Sequence, residues 1–348
     1  MKALFIVTGR GLGGDSMIAL NAMKSLEKRG VQCEVALDSS AYGSLFEKHG
    51  YDWHKISVPH AGGFSATKLS TLKAAKQTIN AAFITRSLIK KLNVDFVVGV
   101  LGGGAVVGSL GGKLAKKSTF SIVLTPLDTK ICPKFNQCYL LPESEKFKWE
   151  KLPKNIKKIS YPLSDNFEEC NSKIAIEKLR EYPNFDENKK TIVFSSGSSI
   201  FKGAIDAINL VSNHTDEYNL VLVGLPLHEE YSELFDEKII YTGYIDWINH
   251  LFDLADLMVL TDDGISIAEA LTCQKPIVTL THVKWGRYQN IAGVYKGAIV
   301  ESDVGDVCES IDYAFRNYDS LKGKAIVYGE ICSKSADNLA DDILKRVK

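Results

Sequence analysis

Three stretches hold residues whose types and spacing suit chemistry on a phosphorylated ligand. "VTGRGLGGDS", residues 7–16, sets Gly9, Gly11 and Gly14 in a G-x-G-x-x-G spacing directly after an apolar run, and the loop ends in an acid, Asp15. Glycines so spaced let a backbone approach a phosphate, and an acid about 20 residues further on, here Asp38, would hold a ribose hydroxyl in a dinucleotide site. "VFSSGSSIFKGA", residues 193–204, follows another apolar run and offers Ser195, Ser196, Gly197, Ser198 and Ser199 ahead of a helical pattern. Hydroxyls and backbone N–H groups at a helix start would take an anion without a basic side chain; the plain alternative is a serine-rich cap. "LTDDGISIAEAL", residues 260–271, brings Asp262, Asp263, Gly264 and Glu269 together. Gly264 permits a sharp turn into a helix beginning at Ile265, whose first N–H groups would face a ligand. A carboxylate one turn in can accept both hydroxyls of a ribose, although for Glu269 alone a first-turn acid pairing with the helix dipole is the commoner case.

The elements that must position these residues follow one rhythm: apolar strand, glycine-containing turn, amphipathic helix. The first half predicts strands over 3–8, 32–37, 96–100 and 121–124, with helices over 16–29, 67–91 and 104–116. The second half predicts strands over 191–195, 220–223, 239–241, 257–260, 276–279 and 298–300, with helices over 202–213, 247–254, 265–272, 287–296 and 304–317. Alternation of this kind means parallel sheets with right-handed crossovers. The stretch "LPKNIKKISYPLSDNFEEC" carries two prolines and a change from basic to acidic, which sets a boundary near residue 162. The expected architecture is α/β, with two Rossmann-like domains whose sheets face each other across a cleft. They cover 1–161 and 162–330, and a C-terminal helix over 331–348 can pack back on the first domain. Ligands of such sheets bind outside the carboxyl ends of the strands.

A length of 348 residues suits two domains, and 45% hydrophobic with 24% charged residues is ordinary for a globular protein. No run of 18 apolar residues suggests a transmembrane helix, and the first residues break into glycines too early for a signal peptide, so a cytoplasmic location is expected. The seven cysteines are odd in number and scattered without a C-x-x-C pair, which fits reduced thiols; Cys132 and Cys138 lack the companions a zinc site needs. The zero net charge hides an asymmetry. Residues 1–160 hold 24 Lys and Arg against 11 Asp and Glu, a net +13, and residues 161–348 hold 18 against 31, a net −13. Either the two halves simply attract each other, or the first half meets an anionic surface. Nothing points to nucleic acid.

With these residues in place, the chain resembles GT-B glycosyltransferases, most closely the MurG family, which moves N-acetylglucosamine from UDP-GlcNAc to a lipid-linked muramoyl acceptor at the cytoplasmic membrane face. The resemblance runs in order along nearly the whole chain. "VTGRGLGGDSMIALNAMKSLEKRG" is similar to the family's first glycine loop, "DFVVGVLGGGAVVGSLGGKLAKK" to its second and "VFSSGSSIFKG" to its third. "DDGISIAEALTCQKPIVTL" followed by "GRYQNIAGVYKGAIV" is similar to its nucleotide-sugar signature, the most specific of these matches. The resemblance implies that Gly11, Gly13, Gly14, Gly102, Gly103 and Gly104 border the substrates. It implies that Glu269 holds the ribose hydroxyls, with Asp263 beside Gly264 and Ile265, whose N–H groups meet the diphosphate. Ser196, Gly197 and Ser198 would sit near the phosphates, Tyr244 and Ile245 would flank the uracil, and Gln289 with Asn290 would touch the donor sugar. Three departures stand out: Asp15 replaces the family's His, Leu163-Ser164 follows Pro162 where an arginine is usual, and Asp263-Gly264 replaces Ser-Gly. The resemblance implies no cofactor beyond the UDP-sugar donor and no metal, although Asp262 and Asp263 make a metal role worth weighing.

"HAGGFSATKLSTLKAAKQTINAAFITRSLIKKL", residues 60–92, mixes apolar and basic residues and contains no acid. Phe64, Leu69, Leu72 and Phe83 would enter a membrane surface shallowly while Lys68, Lys73 and Lys76 meet anionic headgroups; the same region of MurG-like proteins carries their membrane patch. The alternative is an amphipathic helix with a solvated basic face. The reading is therefore an inverting, metal-independent glycosyltransferase on the cytoplasmic membrane face, with a UDP-sugar donor, GlcNAc or a close relative, a lipid-linked acceptor, and Asp15 as base. A UDP-GlcNAc 2-epimerase, a nucleotide-sugar-binding partner that has lost its base, and a dehydrogenase are the rivals.

Overall fold

The computed structural model describes residues 1–10, 14–59, 68–167 and 169–347, with side chains from 68 to 74 set aside. The chain forms two compact units, one of residues 1–162 with 334–348 and one of residues 163–333. Among the described residues no helix is long and apolar enough to cross a membrane.

The first unit is built on a parallel sheet of β1 (Lys2–Val7), β2 (Gln32–Asp38), β3 (Trp53–Ile56), β4 (Phe96–Val100), β5 (Ser118–Val123), β6 (Gln137–Leu140) and β7 (Ile156–Lys158). Their order is β3-β2-β1-β4-β5-β6-β7. β1 and β4 are central and buried on both faces, hence their unbroken apolar runs ALFIV and FVVGV. The helix Gly102–Leu114 sets glycines directly against the backbone of this sheet. A Cβ on Gly104 would sit 2.8 Å from the Ile6 carbonyl oxygen, and one on Gly108 would sit 2.8 Å from the Gly99 Cα. The helix Ser335–Arg346 covers the helix Gly14–Glu27 with buried Leu339, Ala340 and Ile343. Asp337 there accepts hydrogen bonds from the Ser25 hydroxyl at 2.6 Å and from Arg29 at 2.8 Å.

The second unit holds β8 (Lys190–Ile200), β9 (Tyr218–Pro226), β10 (Ile240–Gly243), β11 (Leu257–Thr261), β12 (Ile277–Leu280) and β13 (Ile299–Ser302), all parallel, in the order β10-β9-β8-β11-β12-β13. Its core packs Ile192, Phe194, Leu222, Val259 and Val278 of the sheet against Ile205, Ile208 and Ile311 of the helices.

Three strands escape the apolar-run prediction. β3 (WHKI) and β7 (IKK) are the sheet's edge strands, where fewer positions are buried, while β6 (QCYL) buries three of its four residues but is too short to make an apolar run. The expected helix over 287–296 shrinks to Ile291–Val294, because Asn290 takes a left-handed conformation at φ 51 and ends any helix to its N-terminal side.

Candidate donor and acceptor sites

In each sheet the strand order reverses at one place, and there the loops leave a crevice outside the carboxyl ends. In the second unit it lies between β8 and β11. Gly197, φ 91, belongs to the end of β8, and Gly264, φ 98, follows β11 and opens the helix Ile265–Thr272. Both conformations favour glycine.

The helix Ile265–Thr272 turns Ile267, Ala268, Ala270 and Leu271 into the core and leaves Glu269 partly accessible. Burial pushes the Glu269 carboxyl up to about 7, and a hydrogen bond with Ser266 only partly offsets this. An acid held that high by burial suits hydroxyl donors that arrive with a ligand.

The acids ahead of Gly264 both hold protein groups. Asp262 accepts the Gln289 backbone N–H at 2.8 Å, and Asp263 pairs with the Lys284 ammonium at 2.6 Å. Burial and the neighbouring Asp263 push Asp262 up to about 6. The two acids thus fasten the loop after β12, where His282 (φ 60), Trp285 (φ 57) and Asn290 (φ 51) are all left-handed. A left-handed conformation costs a non-glycine residue about 1–2 kcal/mol, so such a run persists only where its surroundings enforce it, commonly at ligand sites. The loop presents Gln289, half-buried, at the same end of the sheet as Gly264. Asn290 instead accepts from the Tyr288 hydroxyl at 3.1 Å.

The serine loop corrects the sequence-based picture. Ser195 to Ser199 are not the start of the helix; β8 runs on to Ile200 and bulges between Ser195 and Ser199, and the helix begins at Lys202 as expected. The Ser196 hydroxyl donates to the Ser199 carbonyl at 2.8 Å and accepts the Phe201 N–H at 3.0 Å, while Ser195 accepts the Gly197 N–H at 3.1 Å. These two hydroxyls shape the bulge, leaving Gly197 and half-buried Ser198 as its outer surface. Tyr244, 59% exposed, and half-buried Ile245 follow β10 at the same end of the sheet. Lys284 is the residue that motif reading passed over. The available signal was a lone lysine between two segments already singled out, "KPIVTL" and "GRYQN".

In the first unit the reversal lies between β1 and β4. Gly9, φ 65, turns the chain after β1, and its N–H donates to Asp15 at 2.9 Å. The other Asp15 oxygen accepts the Ser16 N–H at 2.8 Å. Burial raises the Asp15 pKa against these hydrogen bonds. Gly11 and Gly13 lie outside the described residues, and Gly14 begins the helix. Gly102, Gly103 and Gly104 form the first turn of a helix and not a loop. Asp128 accepts the Gly102 N–H at 2.6 Å, and the space beside Gly103 and Gly104 is filled by Val58 and by the β1 backbone. Asp38, the acid a dinucleotide would require, accepts from Arg10 at 3.1 Å, the Val58 N–H at 2.7 Å and the Ser40 N–H at 3.0 Å. Burial would raise its pKa, but the Ser40 and Arg10 hydrogen bonds outweigh it and hold Asp38 at about 2. It is a bracket between loops, already saturated, and the dinucleotide reading loses its ribose partner.

Of the expected membrane residues, Phe64 lies outside the described residues. Lys68, Leu69, Leu72 and Lys73 fall in the helix Lys68–Leu92 with their side chains undescribed, and Lys76 is exposed. Further along this helix Ile79, Phe83 and Ile84 are 56%, 51% and 41% exposed.

Comparison with known proteins bears on the fold. Residues 175–326 match the family described as glycosyl transferases group 1. A processive diacylglycerol beta-glucosyltransferase of Bacillus subtilis is 26% identical over 205 residues, 56% of this chain. The chain spans about half, 52%, of that relative's length. The UDP-N-acetylglucosamine–N-acetylmuramyl-(pentapeptide) pyrophosphoryl-undecaprenol N-acetylglucosamine transferase of Ruminiclostridium cellulolyticum is 24% identical over 306 residues, 81% of each chain. Among solved structures, Acinetobacter baumannii MurG superposes with a TM-score of 0.67 at 15% identity, covering 99% of each chain. The UDP-GlcNAc 2-epimerase of Neisseria meningitidis superposes equally well, 0.67 at 13% identity, covering 99% of this chain and 100% of its own. Anabaena HepE in complex with UDP and glucose gives 0.68 at 18% identity, with 99% and 100% covered. The fold is GT-B.

Proposed function

We propose that this chain, whose residues 175–326 form a group 1 glycosyl transferase domain on a GT-B fold, transfers a hexose from a UDP-sugar to a lipid hydroxyl with inversion and without a metal. The observation that carries the reading is Glu269. It stands on the helix after a glycine-only turn at the strand reversal, its carboxyl pushed up to about 7 by burial. A ribose diol supplies the two donors such a carboxylate lacks, and loss of its hydration is repaid only when they arrive.

The donor's diphosphate would lie against Gly264, Ile265 and the Gly197 bulge, with the uracil beside Tyr244 and Ile245 and the sugar toward Gln289. Asp15 would take the proton from the acceptor hydroxyl as its oxygen attacks the anomeric carbon. The C–O bond to UDP then breaks, and the diphosphate leaves with the electron pair. Burial raises Asp15, which makes it a better base than an exposed aspartate. The named relatives support a lipid acceptor: one acts on diacylglycerol, the other on a pyrophosphoryl-undecaprenol carrier. They differ in sugar, glucose against N-acetylglucosamine, so the donor is a UDP-linked member of that pair or a close relative. The exposed Ile79 and Phe83, with Lys76 on the same helix, support an encounter with an anionic membrane surface on the cytoplasmic face.

Labelled UDP-glucose and UDP-GlcNAc, each incubated with the protein and a membrane lipid extract, test the reading. Label entering the organic phase as UDP is released is the expected result. A water-soluble epimer would favour the epimerase, and tight binding without turnover a non-catalytic partner.

A further inference from the structure

The loop after β12 holds a residue to which no role has been given. The Lys284 ammonium pairs with Asp263 at 2.6 Å, and only 16% of the Lys284 side chain is exposed. It lies 3.6 Å from where a Cβ on Gly197 would stand and 3.7 Å from where one on Gly264 would stand. One cation therefore touches both glycine turns that flank the strand reversal, and it does so where neither turn carries a side chain. The backbone around it is fixed. The Arg287 N–H donates to the Lys284 carbonyl at 3.2 Å, the His282 N–H donates to the Arg287 carbonyl at 3.1 Å, and Trp285 packs edge-on against Phe201 at 5.1 Å. Asp262 and Asp263 anchor this loop from its two sides, through Gln289 and Lys284.

We propose that Lys284 is the diphosphate-recognising cation of the donor site, and that Asp263 holds it in place until the donor arrives. This rests on the reading that the donor is a nucleotide diphosphate sugar. A diphosphate between the two glycine turns meets the ammonium directly and competes with Asp263 for it. The Lys284 ammonium is the cation set against both glycine turns, so it supplies charge that the backbone N–H groups alone would lack. The arrangement also accounts for the acid beside the phosphates. Asp263 neutralises Lys284 in the empty site and keeps it from pairing elsewhere. When the diphosphate binds, Lys284 lies between two anionic groups and screens one from the other. As UDP departs, the same ammonium meets the charge that develops on the leaving oxygen.

Calorimetric titration of the full chain with uridine and with UDP tests this, because only UDP carries the diphosphate. The wild type is expected to bind UDP much more tightly than uridine, with a gap that narrows as salt rises. Lys284→Gln should weaken UDP about 10–100-fold and leave uridine within twofold. Lys284→Arg should retain most of the gap, and Asp263→Asn, which removes the competitor for the ammonium, should tighten UDP binding several-fold. Equal weakening of uridine and UDP in Lys284→Gln would make the lysine a loop support only, and unchanged UDP binding would remove it from the site; either overturns the proposal while the donor reading stands. Absence of uridine and UDP binding in the wild type overturns the donor reading and this inference with it.

Discussion

Glu269 is costly for the empty protein and, in the proposed reading, useful to the loaded one. An unfolded chain keeps a glutamate near 4.5, whereas burial raises this one to about 7 in the folded chain. A raised acid penalises the ionised native state, so stability falls as pH climbs from about 4.5 to about 7 and the penalty is constant above that. Glu269→Gln should therefore melt higher than the wild type above pH 7 and match it near pH 4, measured by calorimetry without ligand. The same variant should lose about 100-fold or more in uridine affinity, since two hydrogen bonds to a charged acceptor disappear. Uridine has no titrating phosphate, so its affinity for the wild type should fall about tenfold per pH unit below 7, and that slope should vanish in Glu269→Gln. Asp15 makes the opposite separation. Asp15→Asn should cut turnover by about 10²–10⁴ and leave UDP binding unchanged. Its melting curve must be recorded beside the rate, because Asp15 also closes the loop through the Gly9 and Ser16 N–H groups.

The elements divide into those that burial writes into the sequence and those it does not. β1, β4, β8, β11 and β12 are central, and runs such as LMVL and IVTL are legible because a parallel strand covered on both faces tolerates little else. β7 reads IKK because a short edge strand exposes most of its residues. The Asp-Asp-Gly turn and Glu269 were legible from spacing, but the partners of the two acids were not, since Lys284 and Gln289 lie a strand and a loop further on. The glycines of "GVLGGGAVVG" mislead in an instructive way. They read as a phosphate loop, yet Gly104 and Gly108 are there because a helix lies against the β1 and β4 backbones. Gly104→Ala should lower stability by about 1–3 kcal/mol in denaturant unfolding, because its new methyl meets a carbonyl that cannot move aside. It should leave uridine affinity unaltered.

For the whole molecule, chain order and units do not coincide. Residues 334–348 return to the first unit, and deleting them would uncover the helix Gly14–Glu27 along the face now held by Leu339, Ile343 and the Arg29–Asp337 pair. The truncated chain should lose soluble yield and melt well below the wild type. These residues carry four Lys and Arg against three Asp and Glu, so the N-terminal unit reaches +14 and the other −14. Vesicles containing anionic lipid should bind the protein and release it at high salt, and Ile79→Ser with Phe83→Ser should weaken that binding severalfold; equal binding to neutral vesicles would refute the charge argument. The reaction itself is read most directly from its product. The protein, a UDP-linked α-hexose and a lipid extract are incubated, the glycolipid is isolated, and its anomeric proton is examined by NMR alongside the UDP released. We expect a β-linked product equal in amount to the UDP, absent with Asp15→Asn. An α-linked product, a free epimerised UDP-sugar, or no glycolipid from any UDP-hexose would contradict the assignment.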